Sequence, residues 1–133
     1  MESVEHTILV VDDQDGVRQL LYEVLQSEGY TVRLASNGCQ ALKIIEEFNP
    51  QVILIDMKMP GMSGLDVLKE LDRIKYQGIY VMMTAYGELE IVNEASQLGV
   101  KHFINKPFDI DELREIIEKA FSAEGKGKTQ NLV

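Results

Sequence analysis

The chain has 133 residues, 45% of them hydrophobic and 26% charged, enough for one ordinary domain with a single core. Its net charge of −9, from 22 acids against 13 bases, argues against a broad nucleic-acid or anionic-membrane surface and leaves room for a cation and for basic partners. No apolar run reaches the roughly 20 residues that cross a bilayer, MESVEHT lacks the layout of a signal peptide, and the single Cys39 has no partner for an internal disulfide, so the expected location is the cytoplasm.

Residues 1–6 read as an N-terminal extension. The first predicted strand, 7–11, runs apolar through ILVV and ends on two adjacent acids, Asp12 and Asp13. Val17, Leu20, Leu21, Val24 and Leu25 then follow at helical spacing, and Gly29 stands where that helix should stop. Asp15 reads as the acidic start of this helix, where negative charge suits the dipole. A mixed strand, TVRLA at 31–35, is followed by a helix carrying Ala41, Ile44, Ile45 and Phe48, with Cys39 a small residue near its start. The third strand, 52–55, is wholly apolar and delivers Asp56 at its end. Gly61 and Gly64 read as turn and helix-start residues rather than phosphate binders, since PGMSG lacks a phosphate-loop pattern.

Ser63 with Asp66 has the form of a capping box, and Leu65, Leu68 and Leu71 mark the helix it opens. Strand four, 79–84, ends at Thr84; Leu89, Val92 and Ala95 mark the next helix, which Gly99 closes. Strand five, 101–105, ends at Asn105, Lys106 and Pro107. Asp109 with Glu112 forms a second capping box before Leu113, Ile116, Ile117 and Ala120. Residues 122–133 are polar and contain glycine, and are expected to be a disordered tail, too short for a DNA-binding fold.

This succession of βα units predicts an α/β fold with a parallel sheet and helices on both faces. The fully apolar strands belong in the centre and the mixed ones at the edges, which yields the flavodoxin-like order 2-1-3-4-5. Ligands of such sheets bind beyond the carboxyl ends of the strands, where the winding direction reverses, here between strands one and three. Asp12, Asp13, Asp56, Thr84 and Lys106 should therefore converge. Crowded carboxylates repel and lose water, so something must offset that cost. Oxygen donors of this kind suit a hard divalent ion, Mg²⁺ (or another such as Mn²⁺), which is usually held by one or two carboxylates and keeps several waters. His6 and His102 lack the spacing of a zinc site. Asp56, flanked by a metal and by Lys106, has the surroundings of a nucleophile toward a phosphoryl group, with Thr84 placed to donate to a phosphoryl oxygen.

The acidic pair in VVDDQ, the acid in LIDMKMPGMSG, the hydroxyl in MMTAYG and the lysine in NKPF resemble, in order and at matching strand ends, the response-regulator receiver family. The likeness spans about residues 7–121. It implies that Asp56 is the phosphoacceptor, that Asp13 ligates Mg²⁺ directly and Asp12 mainly through water, and that the Lys58 carbonyl is a further ligand. It also implies that Thr84 and Lys106 bind the phosphoryl group, that the Lys106–Pro107 bond is cis, and that Phe103 occupies the aromatic switch position. Phe103 reads equally as plain packing on an edge strand, and His102 beside it carries no assigned role.

Narrower stretches, RQLLYEVLQSEGY, TAYGELE and KPFDIDELR, are similar to single-domain regulators of Bacillus-type sporulation phosphorelays. That likeness implies a protein that takes a phosphoryl group from a sensor histidine kinase and passes it to a histidine phosphotransferase. It implies a phosphoacceptor assisting its own modification rather than an enzyme, acting as a monomer and open to an aspartyl-phosphate phosphatase as a third partner, with neither nucleic acid nor membrane. Docking is expected at Gln14, Val17, Leu20, Leu21, Tyr86, Pro107 and Phe108. Met57, Met59, Met62, Met82 and Met83 read mostly as packing, any exposed ones suiting an adaptable docking surface. Three alternatives stay open: a chemotaxis-type receiver acting by phosphorylation-dependent binding, a Mg²⁺-dependent aspartyl phosphatase, and a flavin module. Lys58 counts against the phosphatase, since such enzymes usually carry an acid there, and the acidic DDQDG counts against the flavin.

Overall fold

The computed structural model describes residues 5–85 and 87–131, with side chains as far as Ser122. Strands β1 (Thr7–Val11), β2 (Thr31–Ala35), β3 (Val52–Asp56), β4 (Ile79–Thr84) and β5 (His102–Asn105) alternate with helices α1 (Asp15–Ser27), α2 (Gly38–Phe48), α3 (Gly64–Arg73), α4 (Leu89–Gln97) and α5 (Ile110–Asn131). All pairings are parallel, in the order β2-β1-β3-β4-β5. β3 is buried along its whole length, while the edge strands β2 and β5 are only partly covered, as their mixed composition requires.

Alternation along each strand splits the core in two. Leu9, Val11, Ile53, Ile55 and Met82 face α2, α3 and α4 through Ala41, Ile45, Leu68 and Ala95. Ile8, Val10, Leu54, Val81 and Met83 face α1 and α5 through Leu21, Leu25, Leu113 and Ile117. Each such aliphatic side chain contributes about 1.5–3 kcal/mol by leaving water. Met57, Met59 and Met82 are buried in one half of the core with Met62 packed against it, and Met83 is buried in the other half, so these methionines fill the core rather than forming a docking surface.

Both capping boxes form. Ser63 accepts from the Asp66 N–H at 3.1 Å while Asp66 accepts from the Ser63 N–H at 3.0 Å. Asp109 and Glu112 exchange the same pair of bonds at 2.8 and 3.1 Å. Gly29 and Gly99 close α1 and α4 with φ of 96° and 103°, the left-handed region that favours glycine.

The α5 backbone runs past Phe121 to Asn131, through the segment expected to be a polar tail. Residues 132 and 133 lie outside the described residues, as do residues 1–4 of the expected N-terminal extension.

Candidate functional site

The site is built at the carboxyl ends of β1, β3, β4 and β5. Val11 pairs with Ile55, so the next residues, Asp12 and Asp56, leave adjacent strands side by side. Oxygens of Asp12, Asp13 and Asp56 lie within 4.8 Å of one another. Asp12 is fully buried, Asp56 nearly so, and Asp13 faces solvent.

Lys106, just after β5, reaches both buried carboxylates. Its Nζ lies 2.8 Å from Asp12 Oδ2 and 3.1 Å from Asp56 Oδ2. The remaining oxygens accept backbone N–H groups: Asp12 Oδ1 from Gln14 at 2.9 Å, and Asp56 Oδ1 from Lys58 at 3.1 Å. The Lys106–Pro107 bond is cis, as the resemblance implied.

One ammonium against three carboxylates leaves the cluster short of positive charge. Burial pushes the Asp56 carboxyl above the ordinary carboxylate range, and the bonds from Lys58 and Lys106 only partly reverse this against the added repulsion of Asp12. Burial draws Lys106 down, but its bonds to Asp12 and Asp56 prevail and hold its ammonium above the ordinary lysine value. The donor set is all oxygen and open to solvent on the Asp13 side, which fits a hard divalent ion such as Mg²⁺.

Several neighbours escaped the sequence reading. Arg18 donates through Nη1 to the Asp12 carbonyl oxygen at 2.7 Å and through Nη2 to Asp15, tying the start of α1 to the acidic loop. Glu88 accepts the Ala85 N–H at 2.8 Å, and its other oxygen lies 3.4 Å from Lys58 Nζ, linking the loops after β3 and β4. The Thr84 hydroxyl donates to Asn105 Oδ1 at 2.9 Å. The Arg18–Asp15 pair has the i,i+3 spacing of a helical ion pair and was legible in principle, whereas the Lys58–Glu88 and Thr84–Asn105 contacts come from loop approach and strand register and have no local signature. α3 begins hard against the end of β3: a Cβ on Gly64 would collide with the Asp56 carbonyl oxygen.

The expected docking set divides. Leu20 is 52% exposed and Gln14 and Pro107 are exposed, whereas Val17 and Phe108 are half-buried against the core. Leu21 is a correction: at 1% exposure it packs under the sheet beside Leu25 and has no surface for a partner. Helix geometry explains this, since adjacent residues point about 100° apart. Tyr86 lies outside the described residues. Phe103 is half-buried against the α2–α4 core.

Residues 8–118 match the family profile described as response regulator receiver domain. The chain is 47% identical over 112 residues to sporulation initiation phosphotransferase F of Bacillus subtilis, covering 84% of this chain and 90% of that protein. It is 37% identical over 118 residues to chemotaxis protein CheY of the same organism, covering 88% and 98% respectively. Among solved structures, NtrX from Brucella abortus superposes with a TM-score of 0.87 at 30% identity, covering 98% of this chain and 30% of that one.

Proposed function

The chain belongs to the response regulator receiver domain family, and from that premise we propose that it is a phosphorelay intermediate. It accepts a phosphoryl group on Asp56 from the phosphohistidine of a sensor kinase and hands it to a histidine phosphotransferase. The observation that carries this reading is Asp56 at the end of β3, with Lys106 Nζ 3.1 Å from Oδ2 and two further carboxylates beside it.

Asp56 attacks phosphorus in line. An O–P bond forms as the P–N bond breaks, and its electron pair returns to the donor imidazole nitrogen. Lys106 balances charge on the transferring oxygens, and Thr84 donates its hydroxyl to one of them after transfer. A divalent ion held by Asp12, Asp13, Asp56 and the Lys58 carbonyl supplies further positive charge when bound. The attached group biases the loop after β4 and the face containing Phe103 toward a second arrangement.

The sporulation role is supported by the 47% identity, which extends over 90% of the Bacillus subtilis phosphotransferase. Gln14 and Leu20, exposed at the start of α1 and within its first half, offer the docking surface in that relay, in the cytoplasm. The likeness to CheY favours a second reading, phosphorylation-dependent binding to one target protein. Transfer of the group from Asp56 to a phosphotransferase histidine supports the relay; a stable complex of the phosphorylated chain without transfer supports the second reading.

The test of the acceptor is intact mass after incubation with acetyl phosphate, with and without Mg²⁺, on wild type and Asp56→Asn. The expected result is a Mg²⁺-dependent gain of one phosphoryl group that the variant lacks. No gain in folded wild type, or a gain that survives in the variant, overturns the reading.

A further inference from the structure

The Thr84 side chain is 2% exposed, and its hydroxyl donates to Asn105 Oδ1 at 2.9 Å. The pairing follows from the sheet. Thr84 and Asn105 are register partners on parallel strands, so their side chains leave the same face side by side. The Lys106 N–H closes on the Thr84 carbonyl oxygen at 2.7 Å, fixing the two backbones at this point. Asn105 is itself exposed, and its amide oxygen accepts the Thr84 hydroxyl.

A hydroxyl carries one proton. The bond that occupies it here points across to β5, away from Asp56 on β3, which lies on the other side of β4 in the strand order. With Thr84 this deeply buried, water is not a ready substitute acceptor.

We propose that Asn105 is a positioning residue that holds the Thr84 hydroxyl in the unphosphorylated protein, and so sets how readily Thr84 turns to a phosphoryl oxygen on Asp56. The inference rests on the proposed role of Asp56 as acceptor and deepens it. Asn105 Oδ1 and the phosphoryl oxygen compete for one proton, so every phosphorylation event breaks the Thr84–Asn105 bond. The residue before the site lysine thereby tunes the balance of the switch without touching the phosphoryl group. Because Asn105 is exposed, its amide regains water when released, and the competition is correspondingly modest.

The test uses trifluoroberyllate with Mg²⁺ as a non-transferable analogue of the aspartyl phosphate, titrated into the full chain and followed by the bound ¹⁹F resonance. Four proteins are compared: wild type, Asn105→Ala, Thr84→Val and the double variant. Removing the competing acceptor is expected to lower the half-saturating concentration about two- to fivefold in Asn105→Ala, the range of one solvent-compensated hydrogen bond. In the Thr84→Val background the same change at Asn105 is expected to do nothing, because the hydroxyl through which it acts is gone.

An Asn105→Ala effect of equal size with and without the hydroxyl overturns the proposal and makes the residue merely structural. Equal binding by wild type and Asn105→Ala overturns it as well, while leaving Asp56 as acceptor intact. If folded wild type binds no trifluoroberyllate, the acceptor reading falls and the proposal falls with it.

Discussion

Lys106 Nζ sits 2.8 Å from Asp12 Oδ2, an ion pair between residues 94 apart in sequence, and the aspartate is fully buried. A buried carboxylate deprived of its partner is far more costly than the pair is valuable. Lys106→Met should therefore lower stability by about 2 kcal/mol, less than for a fully enclosed pair because the lysine is 23% exposed. Phosphorylation by acetyl phosphate should slow on the order of 100-fold, the scale of losing one preorganised charge at a reacting oxygen. Urea unfolding and time-resolved intact mass check the two effects separately. A variant as stable as wild type would mean that water, not Lys106, satisfies Asp12.

Asp56 is crowded by Asp12 and pushed toward its neutral form by burial. Replacing it by asparagine removes one of the mutually repelling charges and leaves Lys106 paired with Asp12. In metal-free buffer Asp56→Asn should gain about 1 kcal/mol in unfolding free energy. Adding Mg²⁺ should stabilise wild type more than the variant, since a ligand has been lost. Thermal melts with and without the ion decide this, and a destabilised variant in metal-free buffer would contradict it.

Gly64 opens α3 where a Cβ would strike the Asp56 carbonyl oxygen, a backbone atom that cannot swing aside. Gly64→Ala should cost about 2–3 kcal/mol despite the higher helix propensity of alanine, and should slow phosphorylation by shifting the end of β3. Gly16 on α1 has no atom within 4 Å of its Cβ position and provides the control. Gly16→Ala should be neutral or stabilising in the same denaturation assay.

Leu20 and Leu21 are neighbours with opposite fates, 52% and 1% exposed. Leu20→Glu should leave the melting temperature unchanged and block phosphoryl transfer from a partner while sparing acetyl phosphate. Leu21→Ala should cost about 3 kcal/mol through the cavity left beside Leu25. Loss of both phosphorylation routes in Leu20→Glu would remove α1 as the docking surface.

Asp66 accepts the Ser63 N–H at 3.0 Å, and that bond, with the Ser63 hydroxyl, lowers its carboxyl below the ordinary value of 3.8. A depressed acid stabilises the fold above the unfolded-state pKa and loses that contribution as pH falls through the folded-state value. Asp66→Asn should therefore be less stable than wild type at neutral pH by a few tenths of a kcal/mol, solvent screening keeping the effect small. The gap should close below pH about 3.8. Denaturant titrations across that window test the sign, and a gap that widened in acid would refute it.

The sequence by itself determined the strands, the helices and the order of the sheet. Those depend on local periodicity and on the contrast between ILVV or VILI and the mixed TVRLA, which persist whatever the tertiary detail. It also brought Asp12, Asp13, Asp56, Thr84 and Lys106 to one end of the molecule, because each stands at a strand terminus and parallel strands share a direction. Tertiary structure alone decided which side of α1 meets solvent, separating Leu20 from Leu21. It alone decided that Arg18 reaches the Asp12 carbonyl, that Glu88 links two loops, and that the Thr84 hydroxyl donates its hydrogen bond to Asn105. Those contacts depend on register, helix rotation and loop approach at the scale of a single hydrogen bond. No periodic pattern encodes them: Lys58 and Glu88, and Thr84 and Asn105, are distant in sequence, and the Arg18–Asp12 contact depends on the path of the loop between them.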